Sequence, residues 1–222
     1  MITVHHLNNS RSQRVIWLLE ELELPYQVKR YERDAETMLA PASMRAVHPL
    51  GKSPMITDGD LTLPETGAIV EYLAEQKAGG RLIPQRGTPE HLRCNYWVHY
   101  SEGSAMTPLL LKLVFDRIEA QPVPFIVKPV VRAISGKVKS AFISPQLKLH
   151  LDYMESELAK GVWFAGPNFT IADVMMSFPL EVATNRGGLD ASRPHLWRFL
   201  ENIHARPAYR RALEKGGPYG VV

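Results

Sequence analysis

Three short segments place polar side chains where the chain changes direction, and such places commonly carry binding or proton chemistry. The first is Asn8-Asn9-Ser10-Arg11-Ser12, between a predicted strand and a predicted helix. The second is Lys52-Ser53-Pro54-Met55, after His48-Pro49-Leu50-Gly51; read from its residues alone, it is a turn proline opening an edge strand. The third is Pro64-Glu65-Thr66-Gly67-Ala68-Ile69, at a predicted helix start. Free N–H groups and the positive end of the helix dipole make that start a ready site for a carboxylate. The plainer account is that Glu65 complements the dipole and Thr66 caps. Glu65 follows Pro54 by eleven residues across a hairpin, and that spacing makes the pair far more specific than either segment alone.

The elements that must hold these segments are legible. Residues 2–7, ITVHHL, read as a strand. SRSQRVIWLLEEL has helical spacing at Val15, Leu18, Leu19 and Leu22, with Ser10 and Gln13 matching a capping box and Pro25 marking the end. YQVKRY, 26–31, alternates as a second strand, so the start reads as a β-α-β unit with parallel pairing. Met55–Thr57 and Leu61–Leu63 form a hairpin around Asp58-Gly59, followed by a helix from Glu65 to about Lys77. The order is β-α-β-α-β-β-α.

Gly79, Gly80, Pro84 and Gly87 then interrupt the periodicity. The division is therefore 1–78, a linker at 79–88, and an all-helical 89–222. Thr88-Pro89-Glu90 starts a long helix that Pro108 bends. Further helices are predicted from Pro145 to Lys160, Thr170 to Ala183 and Pro194 to Ala205. Segment 121–145, rich in proline, valine and lysine, has no assigned element; its basic amphipathic residues suit a border of the cleft.

Composition bounds the function. The 222 residues carry a net charge of only +3, which does not support a nucleic-acid partner. Charge divides unevenly: residues 1–80 hold 8 Lys+Arg against 11 Asp+Glu, leaving 18 against 12 for the rest. Cys94 is the one cysteine, so no internal disulfide or Cys-x-x-Cys pair exists. No window is apolar enough to span a membrane and no secretory pattern opens the chain, so the expected location is cytoplasmic. His5-His6 lacks a third ligand at useful spacing, and no metal site is expected.

An αβ unit followed by helices, with these segments, resembles the cytosolic glutathione S-transferase family over about Met1 to Tyr219. Asn168-Phe169-Thr170-Ile171-Ala172-Asp173 is similar to that family's helical-domain signature; its role is structural, with Thr170 as N-cap, Asp173 at N3 and Phe169 as the staple residue. The resemblance implies an N-terminal thioredoxin-like domain with a mixed four-stranded sheet, then an α-helical domain. It implies that Pro54 is cis, that Ser53 pairs strand-fashion with the cysteinyl part of glutathione, and that Lys52 reaches the glycyl carboxylate. Glu65 and Thr66 would hold the γ-glutamyl end. Thr66 departs from the family's usual serine but keeps the hydroxyl.

The family places its thiol activator in the first β-α loop. Ser10 matches the serine-type, bacterial or fungal-like members, with Ser12, Asn9 and Arg11 as alternatives; Ser10 as a mere helix cap is the rival reading. Only the thiolate is a good nucleophile, and a donated hydroxyl at a helix N-terminus favours it. No cysteine or tyrosine stands in the loop. The resemblance puts the electrophile against Tyr96, His99, Tyr100, Met106 and Leu110, residue types that suit an adaptable apolar pocket and equally a helix-bundle core. The implied activity is glutathione transfer to small hydrophobic electrophiles, with peroxide reduction as a side activity. Glutathione is co-substrate, no cofactor is tightly bound, and the chain is a homodimer. The alternatives are a non-catalytic binding module or a ligandin-like carrier.

Overall fold

The computed structural model describes residues 1–34, 36–37, 39–217 and 219–220. The first part contains β1 (Ile2–Leu7), α1 (Ser12–Glu21), β2 (Tyr26–Tyr31), α2 (Ala42–Arg45), β3 (Met55–Asp58), β4 (Leu61–Pro64) and α3 (Thr66–Tyr72). The sheet order is β2-β1-β3-β4. β1 pairs with β2 in parallel, Ile2 opposite Tyr26, as a helical crossover requires. β3 runs antiparallel to both neighbours, with His5 opposite Met55 and Asp58 opposite Leu61. Gly59 turns the β3–β4 hairpin at φ +60°, a conformation that strains residues with a Cβ. The result is a mixed four-stranded thioredoxin-like sheet.

Helices make up the rest: α4 (Pro89–Tyr100), α5 (Met106–Ala120), α6 (Lys128–Val138), α7 (Ser144–Leu158), α8 (Ile171–Val182), α9 (Pro194–Ala205) and α10 (Pro207–Gly216). Single π-helical turns at Leu73–Lys77, Ser101–Ala105, Lys139–Ile143 and Ala183–Gly187 extend α3, α4, α6 and α8. Pro108 has no N–H to donate to the carbonyl of Ser104, and a wider π-helical turn at Ser101–Ala105 stands just upstream of it. The unassigned 121–145 segment contains α6.

Thr170 caps α8 as expected: its side chain and that of Asp173 satisfy each other's backbone N–H groups. Phe169 packs on Trp17 of α1, ring centroids 5.6 Å apart. Trp17, Trp97, Phe164 and Phe199 are fully buried in a core that runs from the sheet-facing α1 into the helical bundle. α10, which no sequence signal announced, locks the two halves. Gln13 donates to the Ala212 carbonyl at 2.8 Å, while Arg211 and Lys215 reach Glu20 at 2.7 and 2.5 Å. Gly216 lies so close to Gln13 that a Cβ there would meet its Oε1 at 2.0 Å. Among the described residues, no helix is long and apolar enough to cross a membrane.

Candidate active site

β1 ends at Leu7, and the Asn8 N–H donates to the Tyr31 carbonyl at 3.1 Å, so the loop leaves from the β1–β2 junction. Asn9 turns it at φ 49°, a left-handed conformation asparagine tolerates. The capping box predicted at Ser10 and Gln13 does not form. Arg11 occupies the N-cap without a side-chain cap, and α1 begins at Ser12. Both predicted partners are engaged elsewhere: Gln13 with α10, and Ser10 in a chain of hydroxyls.

That chain crosses the site. Ser10 Oγ lies 2.7 Å from Ser12 Oγ and 2.9 Å from Ser53 Oγ, and it accepts from the Ser12 N–H at 3.3 Å. Ser12 Oγ lies 2.8 Å from His6 Nδ1. Burial, with the nearby Arg30 charge, pushes the His6 imidazole down to about 4, against a backbone hydrogen bond at Gly216. His6 is therefore neutral at pH 7 and can accept the Ser12 proton. The other loop candidates are spoken for. Asn9 Oδ1 accepts from the Gly220 N–H at 2.9 Å, and Arg11 Nε lies 3.2 Å from Glu102 Oε2.

Opposite the loop, the Ser53–Pro54 bond is cis, as the resemblance implied. Pro54 is buried, Ser53 half-buried and Lys52 exposed. Across the hairpin, Glu65 stands exposed before α3 at φ 71°, ψ 121°. Its carbonyl already accepts from the Ile69 N–H at 3.0 Å, and Thr66 is buried as the first residue of the helix. No side chain caps this start, and the first N–H groups of a helix beside a carboxylate have the polarity to receive an anion and an amine.

The five residues expected on the electrophile wall divide. Tyr100 and Met106 are buried, and the Tyr100 hydroxyl meets His150 Nδ1 of α7 at 2.5 Å. Tyr96, His99 and Leu110 are exposed. Cavities of about 440 Å³ beside Leu82 and Thr170, and about 480 Å³ beside Met1 and Glu20, lie away from Ser10. Among the described residues, no group of three His, Cys, Asp or Glu side chains converges as a metal site would.

Sequence reasoning missed three residues. His6 was legible only as half of a histidine pair. Arg14, fully buried, donates to the Met175 carbonyl at 2.5 Å and to Ser101 Oγ at 3.3 Å, and pairs with Glu102. Glu102 thereby joins the loop to the turn between α4 and α5. No local pattern marks such a pairing, because its partners are 88 positions apart.

Against this geometry the comparisons are decisive. The glutathione S-transferase N-terminal domain matches residues 1–75, and the C-terminal domain of the same family matches 129–207. Glutathione S-transferase 3 of Schizosaccharomyces pombe is 35% identical over 216 residues, covering 97% of this chain and 88% of the relative. The chain belongs to the glutathione S-transferase family. The transferase fold is equally clear in solved structures. A glutathione S-transferase from Actinobacillus pleuropneumoniae superposes with a TM-score of 0.76 at 33% identity, over 97% of this chain and 93% of that one. A glutathione transferase homologue from Sulfitobacter, with bound glutathione, shares the fold at a TM-score of 0.76 and 21% identity, over 97% and 98% of the two chains.

Proposed function

We propose that this glutathione S-transferase binds glutathione along the β3 edge and activates its thiol with the Ser10 hydroxyl. The observation that carries the reading is the 2.9 Å contact between Ser10 and Ser53. Ser53 is the residue whose backbone would pair with the cysteinyl part of glutathione. A sulfur entering there lies within reach of Ser10, at the N-terminal end of α1. One donated hydrogen bond and the positive end of the helix both favour the thiolate. Ser12 and neutral His6 orient the Ser10 hydroxyl from behind. Glu65 and the N-terminus of α3 take the γ-glutamyl amine and carboxylate, and exposed Lys52 takes the glycyl carboxylate.

The reaction is attack of the thiolate on a small electrophile, with peroxide reduction as a second use of the same thiolate. Both need the sulfur fixed in place, which the two glutathione ends accomplish. No tightly bound cofactor is required. A carrier or assembly module would not need Lys52, Pro54, Glu65 and a hydroxyl at Thr66 together, and their joint presence supports the enzyme. We take 1–78 as the glutathione domain, 79–88 as the linker and 89–222 as the electrophile domain. Tyr96 of α4 and Tyr153 of α7 are neighbours on an exposed face with Leu92 and Leu149, which supports a homodimer covering that face.

The test is calorimetric titration of glutathione into the protein and its Glu65→Ala variant. Saturable binding in the micromolar to low-millimolar range, abolished by the substitution, supports the site. No binding by the unsubstituted protein at about 10 mM glutathione, a concentration far above any affinity a working site would need, sinks it.

A further inference from the structure

The segment that leaves α10 returns to the loop holding Ser10 and meets it at His6, Asn9 and Gln13. At its start, the Arg30 guanidinium of β2 donates to the Lys215 carbonyl at 2.6 Å. Gly216 lies against Gln13, with no room for a Cβ, and its backbone makes a hydrogen bond with the His6 imidazole. Gly217 turns the chain at φ 84°, and its N–H donates to the Leu213 carbonyl at 2.9 Å. Further on, the Gly220 N–H donates to Asn9 Oδ1 at 2.9 Å. Asn9 immediately precedes Ser10 and is left-handed, so the bond fixes the residue that sets the direction of the loop.

Tyr219 fastens this segment to the helical part. Its hydroxyl donates to Glu181 Oε2 of α8 at 2.9 Å. Glu181 is buried, and its other oxygen is met by the Tyr209 hydroxyl at 2.5 Å and by His204 Nε2 at 3.1 Å. A buried carboxylate is costly unless its oxygens are bonded, and a bond to a charged acceptor is stronger than one between neutral groups. Burial and the Glu181 charge hold the Tyr219 hydroxyl well above its ordinary pKa, so it remains a donor at working pH. A lone backbone hydrogen bond at Gly220 does not offset the entropy of ordering its segment; the anchored Tyr219 supplies that order.

We propose that Tyr219 and Gly220 are positioning residues for the thiol activator: Tyr219 fastens the segment to Glu181, and Gly220 holds Asn9 so that the Ser10 hydroxyl faces Ser53 and the sulfur bound there. The inference rests on the reading of Ser10 as activator and deepens it, by making a segment of the helical part a component of the thiol site. Two routes lead from the segment to Ser10. One runs from Gly220 through Asn9 along the chain. The other runs from Gly216 to His6, from His6 Nδ1 to Ser12 Oγ at 2.8 Å, and from there to Ser10 Oγ at 2.7 Å. A hydroxyl stabilises a thiolate only when its proton is held at the sulfur, so loosening the loop acts on ionisation before it acts on binding.

The test follows the ionisation of bound glutathione, from the ultraviolet absorbance of the thiolate against pH, beside kcat and KM with 1-chloro-2,4-dinitrobenzene and the glutathione Kd by calorimetry. The variants are Tyr219→Phe, a chain ended after Gly217, and Asn9→Gly, which keeps the left-handed backbone and removes the acceptor. In each, the bound thiol is expected to rise by roughly half a unit or more toward the ordinary value of about 8.5. The kcat is expected to fall about threefold to tenfold, with the glutathione KM and Kd changed by less than about twofold. Tyr219→Phe is expected to be mildest, because its ring still packs. Asn9→Gly in the shortened chain is expected to add nothing to the larger single effect, because both changes remove the same hydrogen bond.

A bound thiol that ionises in all three variants as it does in the unsubstituted protein overturns the proposal, even where stability falls. Effects that multiply in the combined variant overturn it as well, since Asn9 would then act apart from Gly220. A loss confined to the glutathione Kd does the same, because it belongs to binding and not to activation. If the shortened chain does not fold, Tyr219→Phe and Asn9→Gly carry the same readouts. Titration of glutathione into the unsubstituted protein reports separately on the thiol site. Absent binding there sinks that site and this inference together, whereas binding with unmoved ionisation sinks the inference alone.

Discussion

The Ser10 hydroxyl lies 2.9 Å from the Ser53 hydroxyl, which joins the loop before α1 to the loop opening β3. The two residues are 43 positions apart and sit on adjacent strands' ends, because β1 pairs with β3 from His5 opposite Met55. In the proposed mode of binding, a thiol lying along Ser53 would enter this contact and compete for the Ser10 proton.

Ser10→Ala is expected to lower kcat/KM by about tenfold to a hundredfold, the equivalent of one strong hydrogen bond in the transition state. The acidic limb of the pH profile should move up toward the ordinary thiol value of about 8.5. Ser12→Ala, which removes only the orienting partner, should cost about threefold to fivefold. A larger loss from Ser12→Ala than from Ser10→Ala would reassign the activator.

Glu65, proposed to hold the γ-glutamyl amine, also carries backbone strain. Its φ of 71° lies where a Cβ is disfavoured. Glu65→Gly should therefore be more stable in urea than Glu65→Ala by about 1–2 kcal/mol, since only glycine relieves the strain. Both variants should lose glutathione affinity together. Equal stability of the two would remove the strain argument and leave the ligand role untouched.

His6 predicts a pH-dependent stability. Its folded pKa of about 4 lies below the ordinary 6.5, so the unfolded chain takes up a proton first as pH falls. The contribution of neutral His6 is complete above pH 6.5 and is lost as pH falls from there toward 4. Between pH 7.5 and 5 that loss is about 2 kcal/mol. In urea titrations at those two pH values, the protein should lose more unfolding free energy on going to pH 5 than His6→Gln does, by that amount. Identical pH dependence would assign the effect to other groups.

Cys94 should be silent while the protein is folded. It is fully buried, and burial raises its thiol to about 11. A thiol reagent such as 5,5′-dithiobis(2-nitrobenzoate) should release its chromophore only on unfolding, because the thiolate is the reactive form. Fast labelling at pH 7.5 in native buffer would contradict this packing.

Asp173 accepts from the Phe164 and Thr170 N–H groups at 2.9 and 2.8 Å and is wholly buried. Asp173→Ala strands both donors and should cost about 3 kcal/mol, lowering Tm by roughly 6–12 °C in a chain of this size. An unchanged melting curve would mean that water replaces the carboxylate.

The sequence alone determined what depends on neighbours in the chain. The strand reading of ITVHHL, the alternation of YQVKRY, the glycine of the β3–β4 turn, and the box of Thr170 and Asp173 all act within a few residues, so their types and spacing suffice. Pro54 and Glu65 were legible as a pair because a hairpin of predictable length separates them. The tertiary structure decided what depends on distant partners. Ser10 caps no helix because Ser12 and Ser53 hold its hydroxyl and α10 holds Gln13. Arg14 finds Glu102 and Met175 across the domain contact, far from it in sequence. Such contacts form when a hydrophobic core brings remote elements together, and burial then decides which charges stay and what they face.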